Sequence, residues 1–213
     1  MRSAILFVNG RVNLSFCENY VIQHYKTLPI YCADGAYHKI SHSDHLSQKI
    51  VAIIGDNDSF RETEVPGVEY QLITDQNSTD FDKALHFLYQ KGYQQIVVFG
   101  ADGSEMDHYL GNLSSALYYR KKLDIVFIDA CSYSFILNKN MTLCNIKNHM
   151  ISIIPLFLLD EVTLQGCQYR LNPEMLKFGS RIGIRNRTTA NEVKISYTKG
   201  EGIIFISHDK YFP

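Results

Sequence analysis

The chain has 213 residues, 46% of them hydrophobic, and its 21 Lys plus Arg against 22 Asp plus Glu leave a formal charge of -1. That length can bury the core of one large or two small domains, while the balanced charge gives no support for a nucleic-acid or membrane-surface partner. Five widely spaced cysteines with no C-x-x-C pair read as reduced thiols of a cytoplasmic protein, not as a disulfide framework. The first apolar run, AILFV (4–8), is too short for a signal peptide and lacks a small-residue cleavage site, so it reads as a strand. No segment approaches the roughly 20 apolar residues of a membrane span.

Further strands are expected at IYCA (30–33), KIVAII (49–54), QLI (71–73), QIVVF (95–99) and DIVFI (124–128). Several are continuously apolar, as strands covered on both faces are. A first helix falls around Asn13 to Lys26. A second covers TDFDKALHFLYQKG, where Phe81, Ala84, Leu85 and Leu88 share a face, Thr79 caps the start and Gly92 suits the stop. A third covers EMDHYLGNLSSALYYRKK, with Met106, Leu110, Leu113 and Leu117 at helical spacing. This alternation predicts an α/β domain over residues 1–134, a mostly parallel, Rossmann-like sheet flanked by helices. After Tyr133 the texture changes to short β-rich runs divided by Asn, Gly, Lys or Thr, with a helical turn only at Pro173 to Phe178. Residues 135–213 are therefore expected to form a small all-β domain of about six strands.

The strand ends share a chemistry. Asp34-Gly35 follows IYCA, Gly55-Asp56-Asn57-Asp58 follows KIVAII, Asp75-Gln76 follows QLIT with Asp80 close behind, and Asp102-Gly103 follows QIVVFG with Asp107-His108 beyond. In an open parallel sheet, ligands bind beyond the carboxyl ends of the strands. Any one of these acids could be turn or helix-capping chemistry. Gathered on one edge they repel unless a cation lies between them, and a hard cation such as Mg²⁺ takes oxygen ligands shared with substrate phosphates. Asp56 and Asp58, two residues apart in an extended segment, can point the same way and bracket one ion, with Asp80 joining from the helix start. There is no G-x-x-x-x-G-K-[ST] loop, no G-x-G-x-x-G after the first strand and no G-x-S-x-G elbow. His38, His42 and His45 lie in a polar stretch and make a poor zinc site.

In order along the chain, CADGAYHKI (32–40), IIGDNDSF (53–60), DQNSTDFDKAL (75–85), GADGSEMDHYLGNL (100–113), LQGCQYRL (164–171) and FGSRIGIRN (178–186) resemble the sequence blocks of the thiamine pyrophosphokinase family. The resemblance implies an α/β catalytic domain followed by a small β-sandwich. It implies transfer of the pyrophosphoryl group of ATP to thiamine with release of AMP. It also implies a homodimer holding thiamine between the catalytic part of one subunit and the β domain of the other. Carried over to this chain, it implies that Asp56, Asp58 and Asp80 hold Mg²⁺ against the ATP phosphates, with Asp34 in the same crevice and Gln76 facing the reacting groups or thiamine. Lys83 would contact substrate or ATP, Asp107 and His108 would contact nucleotide or help close the site, Asn186 would belong to the thiamine pocket, and Tyr169 is a candidate for its wall.

Four positions depart from the family pattern. Asn57 replaces an aromatic between the paired aspartates, Ser104 and Glu105 stand in place of Gly and Arg, and Arg185 replaces a Ser. The alternatives are a related pyrophosphokinase acting on another small alcohol and a nucleotide- or thiamine-binding regulator without turnover. The full acidic set argues for turnover.

Overall fold

A computed structural model describes residues 1–56, 65–102 and 105–211. The chain divides into two units, Met1–Ala130 and Cys131–Pro213. Asn57, Asp58 and Ser104 lie outside the described residues.

In the first unit, β1 (Ser3–Phe7), β2 (Ile30–Ala33), β3 (Ile50–Gly55), β4 (Glu69–Leu72), β5 (Gln95–Phe99) and β6 (Asp124–Ile128) pair in parallel. Their order is β4-β3-β2-β1-β5-β6. The chain steps outward from β1 to β4 and then returns to the other side of β1 for β5. The order therefore reverses between β1 and β5, the place in such sheets where ligands bind. Ala4 to Phe7 and Ile96 to Phe99 are wholly buried, and the Phe7 and Phe99 rings stack at 5.1 Å. Continuous burial explains why these central strands read as unbroken apolar runs.

The helices are α1 (Leu14–His24), α2 (Ala36–Ile40), α3 (Asp44–Ser47), α4 (Asp80–Gln90) and α5 (Met106–Tyr119). The two shortest have too few residues to show a periodicity. In α4, Phe81, Ala84, Leu85 and Leu88 are buried as their spacing predicts, and the helix packs on β2, β3 and α5. Its start is set by a capping box: the Asp82 amide donates to Thr79 Oγ1 at 3.2 Å, while the Asp82 carboxylate accepts the Thr79 amide. The expected apolar stripe of α5 needs correction. Met106 and Leu110 are exposed, and the buried residues are Asn112, Leu113, Ser115, Ala116 and Tyr119. The buried residues all lie from Asn112 onward, so the apolar spacing marks a buried face only over the second half of the helix.

The second unit is all β: β7 (Ser132–Ile136), β8 (Asn140–Cys144), β9 (His149–Gln165), β10 (Leu171–Lys177), β11 (Gly183–Arg187), β12 (Glu192–Ser196) and β13 (Lys199–Lys210). The run MISIIPLFLL and the first five residues of EVTLQGCQYRL, which suggest two strands, share the single strand β9, which ends at Gln165. Left-handed residues at Phe157 (φ 89°) and Glu161 (φ 52°) interrupt its alternation without ending it. The helical turn expected at Pro173 to Phe178 is also corrected, because Pro173 to Lys177 belong to β10. Register shifts on either side of Glu174 break the period of two that would mark a strand. β9 pairs antiparallel with β10, β11, β12 and β13, while β7 joins through β13 and β8 through β12. Ile151, Ile153, Leu159, Val162 and Leu164 of β9 form the core with Val193, Ile195, Ile204 and Ile206. Among the described residues, no helix is long and apolar enough to cross a membrane.

Thr79→Ala removes the cap that fixes where α4 begins. It is expected to lower stability by about 1 kcal/mol, read as a shifted urea midpoint with unchanged slope.

Candidate active site

The carboxyl ends of β1, β2 and β5 meet the N-termini of α4 and α5 around a cleft of about 500 Å³. Val8, Asn9 and Gly10 line it from the end of β1, Ala101 and Asp102 from beyond β5, Thr79 to Phe81 from α4, and Asp107, His108 and Asn112 from α5. Asn112 ties α5 to this edge by donating from Nδ2 to the Ala101 carbonyl at 2.9 Å.

Asp34 follows β2 and is only 1% exposed. Its amide continues the ladder by donating to Ile54 O at 2.8 Å, and its backbone takes a left-handed turn at φ 37°. A non-glycine residue held there is a local strain of the kind that collects at functional sites. The turn lays the Asp34 side chain over Gly55, where an added Cβ would come within 2.7 Å of Asp34 Cβ. The glycine before Asp56 is thus the space that Asp34 occupies.

Asp56, directly after β3, and Asp80, the first residue of α4, are joined by Lys83 one turn into that helix. Lys83 Nζ donates to Asp56 Oδ2 at 2.7 Å and to Asp80 Oδ1 at 3.1 Å. The lysine side chain is 3% exposed, that of Asp56 13% and that of Asp80 38%. Burial raises the pKa of Asp80; Lys83 counters this, and the negative charges of Asp56 and Asp34 add to the rise. Burial alone would lower the pKa of Lys83, but its bonds to the two carboxylates outweigh that and raise it. Gln76 Nε2 reaches Asp56 Oδ2 at 3.5 Å, the outer limit of a hydrogen bond. Asp75, beside it, accepts from the Asn77 amide and the Ser78 hydroxyl, a local turn that shapes the approach to α4.

Asp56, Asp80, Gln76 and Lys83 are therefore one cluster, with Asp34 close enough to act on its charge. Asp107 and His108 lie at the exposed mouth of the cleft, where His108 Nε2 stands 3.1 Å from Glu105 Oε2. Asp102 is drawn in as well; burial and the neighbouring Asp129 raise its pKa. Asn9 and Gly10, whose NGR matches no known pattern, and Lys39, which donates to both of their carbonyls, join this edge of the sheet without a signal in residue type.

In the second unit, Tyr169 and Asn186 line a pocket of about 170 Å³ floored by Ile151, Ile153 and Leu164. Asn186 is buried. Its Oδ1 accepts the amides of Tyr169 at 3.0 Å and Arg187 at 2.9 Å, and its Nδ2 donates to Tyr169 O at 2.6 Å. Its amide thus fixes the backbone that presents the largely exposed Tyr169. The arginine lining the pocket is Arg181; Arg185 is exposed in a left-handed turn (φ 53°) whose amide donates to Ser152 Oγ.

Residues 23–127 match the family model described as "Thiamin pyrophosphokinase, catalytic domain", and residues 136–201 match "Thiamin pyrophosphokinase, vitamin B1 binding domain". The chain belongs to the thiamine pyrophosphokinase family. A protein named thiamine pyrophosphokinase from Bacillus subtilis (strain 168) is 31% identical over 177 residues, covering 75% of this chain and 79% of that protein. The fold is shared with the crystal structure of a thiamine pyrophosphokinase from Bacillus subtilis (TM-score 0.81, 24% identity, 97% of this chain and 99% of that one). It is shared equally with the enzyme from Candida albicans (TM-score 0.80, 16% identity, 98% and 89%). The catalytic-domain match of the thiamine pyrophosphokinase family takes in Asp34, Asp56, Asp80 and Asp107, and the vitamin B1 match takes in Tyr169 and Asn186. β1, with Asn9 and Gly10, precedes both.

Lys83→Met leaves Asp56 and Asp80 facing each other without a cation. Removing one partner of a buried pair costs about 3–5 kcal/mol; with Asp80 partly in solvent, a loss of about 2 kcal/mol is expected. Adding Asp56→Asn to that variant removes the repulsion and should recover part of the loss, so chemical denaturation of the two single variants and the double variant measures the coupling.

Proposed function

We propose that this chain transfers the pyrophosphoryl group of ATP to the hydroxyl of thiamine, forming thiamine diphosphate and AMP. The observation that carries this reading is the convergence of Asp56 and Asp80 on one buried cation, Lys83, with the charge of Asp34 acting on Asp80, beside a cleft at the point where the strand order reverses. Two helix N-termini, those of α4 and α5, reach the same cleft. Their amides and dipoles favour a polyphosphate there.

The donor set suits Mg²⁺. Asp56 and Asp80 offer carboxylate oxygens alone, and the position between them already accommodates positive charge, that of the Lys83 ammonium. Asp56 and Asp80, joined by Asp58, would hold the ion, and its chemistry there would be to neutralise charge on the transferred phosphates. The chain's own residues do the rest. The cleft orients ATP with its phosphates toward the acidic cluster. Gln76, hydrogen-bonded to Asp56, faces the reacting groups. The thiamine hydroxyl oxygen bonds to the β-phosphorus as the bond to the α-phosphate oxygen breaks; AMP leaves with that oxygen, and a carboxylate of the cluster accepts the hydroxyl proton.

The pocket of the second unit is smaller than the several hundred Å³ of a complete small-molecule site, so it takes part of thiamine, with Tyr169 as a wall. That size supports the reading that a second subunit completes the site in a homodimer. Five free cysteines support a reducing, cytoplasmic setting.

The direct test incubates purified protein with ATP, Mg²⁺ and thiamine and resolves nucleotides and thiamine species by mass. AMP rising in step with thiamine diphosphate establishes the reaction; ATP binding without either product overturns it. Asp56→Asn should abolish turnover while leaving the β domain folded, read by the same assay and by circular dichroism. Asn186→Ala should raise the KM for thiamine roughly tenfold, the scale of about 1.4 kcal/mol, with the KM for ATP unchanged in steady-state kinetics.

A further inference from the structure

The cleft poses an electrostatic problem for a polyphosphate. Asp80, Asp102, Glu105 and Asp107 all line it, and among the described residues no lysine or arginine does. The carbonyl oxygens at the end of β1 add the negative ends of two backbone dipoles. Lys39, in the last turn of α2, covers both: its Nζ donates to Asn9 O at 2.7 Å and to Gly10 O at 2.5 Å. Neutral carbonyls accept those bonds, and among the described residues Lys39 forms no ion pair, so no carboxylate offsets its charge beside the two β1 residues that line the cleft.

The same segment is held from its other side. The Gly10 amide donates to Gly100 O at 2.9 Å and the Arg11 amide to Asp102 O at 2.7 Å. The approach is so close that a Cβ at Gly10 would lie 2.2 Å from Gly100 O. β5 thus grips the end of β1 through backbone, and α2, which follows Asp34 directly, grips it through one side chain. Half-buried in this position, Lys39 has its pKa lowered by desolvation.

We propose that Lys39 is a positioning residue of this site, one that fixes the Asn9–Gly10 strand end and places a positive charge behind that wall of the cleft. The second half of this assignment rests on the cleft being the ATP site; the first half does not.

The experiment compares wild type, Lys39→Met, which keeps the aliphatic stem, and Lys39→Arg. In the ligand-free proteins, amide hydrogen exchange at Gly10 and Arg11 should speed up about tenfold or more in Lys39→Met, the scale of losing hydrogen bonds to a charged group. The amides of Ile5 and Val97, deep in the sheet, should keep their wild-type rates. In turnover, the KM for ATP should rise by a similar factor, with kcat within about threefold and the KM for thiamine unchanged. Lys39→Arg should restore most of both effects. Wild-type exchange at Gly10 and Arg11 in Lys39→Met overturns the positioning role, and so does a uniform acceleration across the unit with the KM for ATP unmoved. Faster local exchange with an unchanged KM for ATP overturns the role toward nucleotide. If wild type makes no AMP, the proposed reaction fails, and the exchange measurement still decides whether Lys39 holds the strand end.

Discussion

A buried ammonium between two carboxylates is the interaction on which the site depends. Asp56 arrives from the end of a parallel strand and Asp80 from the start of a helix, two elements separated by more than twenty residues of chain. Like charges brought together in a partly desolvated place repel, and the repulsion grows as water is excluded. Lys83 removes the conflict at 2.7 and 3.1 Å. It can do so because it lies one helical turn after Asp80, on a helix whose start is fixed by Thr79 and Asp82. The capping box is therefore part of the electrostatics: it decides where on the sheet edge the lysine points.

Around that cluster the first unit is organised by close backbone approach. Gly55 leaves the space that Asp34 fills, and Gly10 lets the end of β1 lie against Gly100. These contacts bring the ends of three strands and two helix N-termini to one cleft without a glycine-rich loop.

Much of this was legible in the residues. The acids at successive strand ends point to one edge because a parallel sheet aligns its carboxyl ends, and the α4 stripe of Phe81, Ala84, Leu85 and Leu88 matches its buried face. What stayed hidden has physical causes. Lys39 bonds to main-chain carbonyls, which leave no trace in residue type, and its partners are some thirty positions away. Asn186 suggests a ligand contact, yet its amide is engaged by the backbone of Tyr169 and Arg187. The α5 pattern misled at Met106 and Leu110 because helical periodicity marks a face but not how far along the helix a neighbour covers it. β10 was missed where its register shifts break the alternation.

The long strand β9 sets a condition on how the second unit is made. Four of the other six strands pair with it directly, and the remaining two attach through β12 and β13. The pairing with β10 is a local hairpin, with Leu171 opposite Leu164, but those with β11, β12 and β13 are remote in sequence, so their loops must close before any contact is gained. During synthesis, β9 emerges early and waits with its apolar alternate residues uncovered until Lys199 to Lys210 has left the ribosome. The first unit, whose last strand closes at Ile128, is complete by then. Conditions that slow elongation through the last third of the message therefore lengthen the time in which β9 is open to the wrong partner, and that interval belongs to the β domain alone.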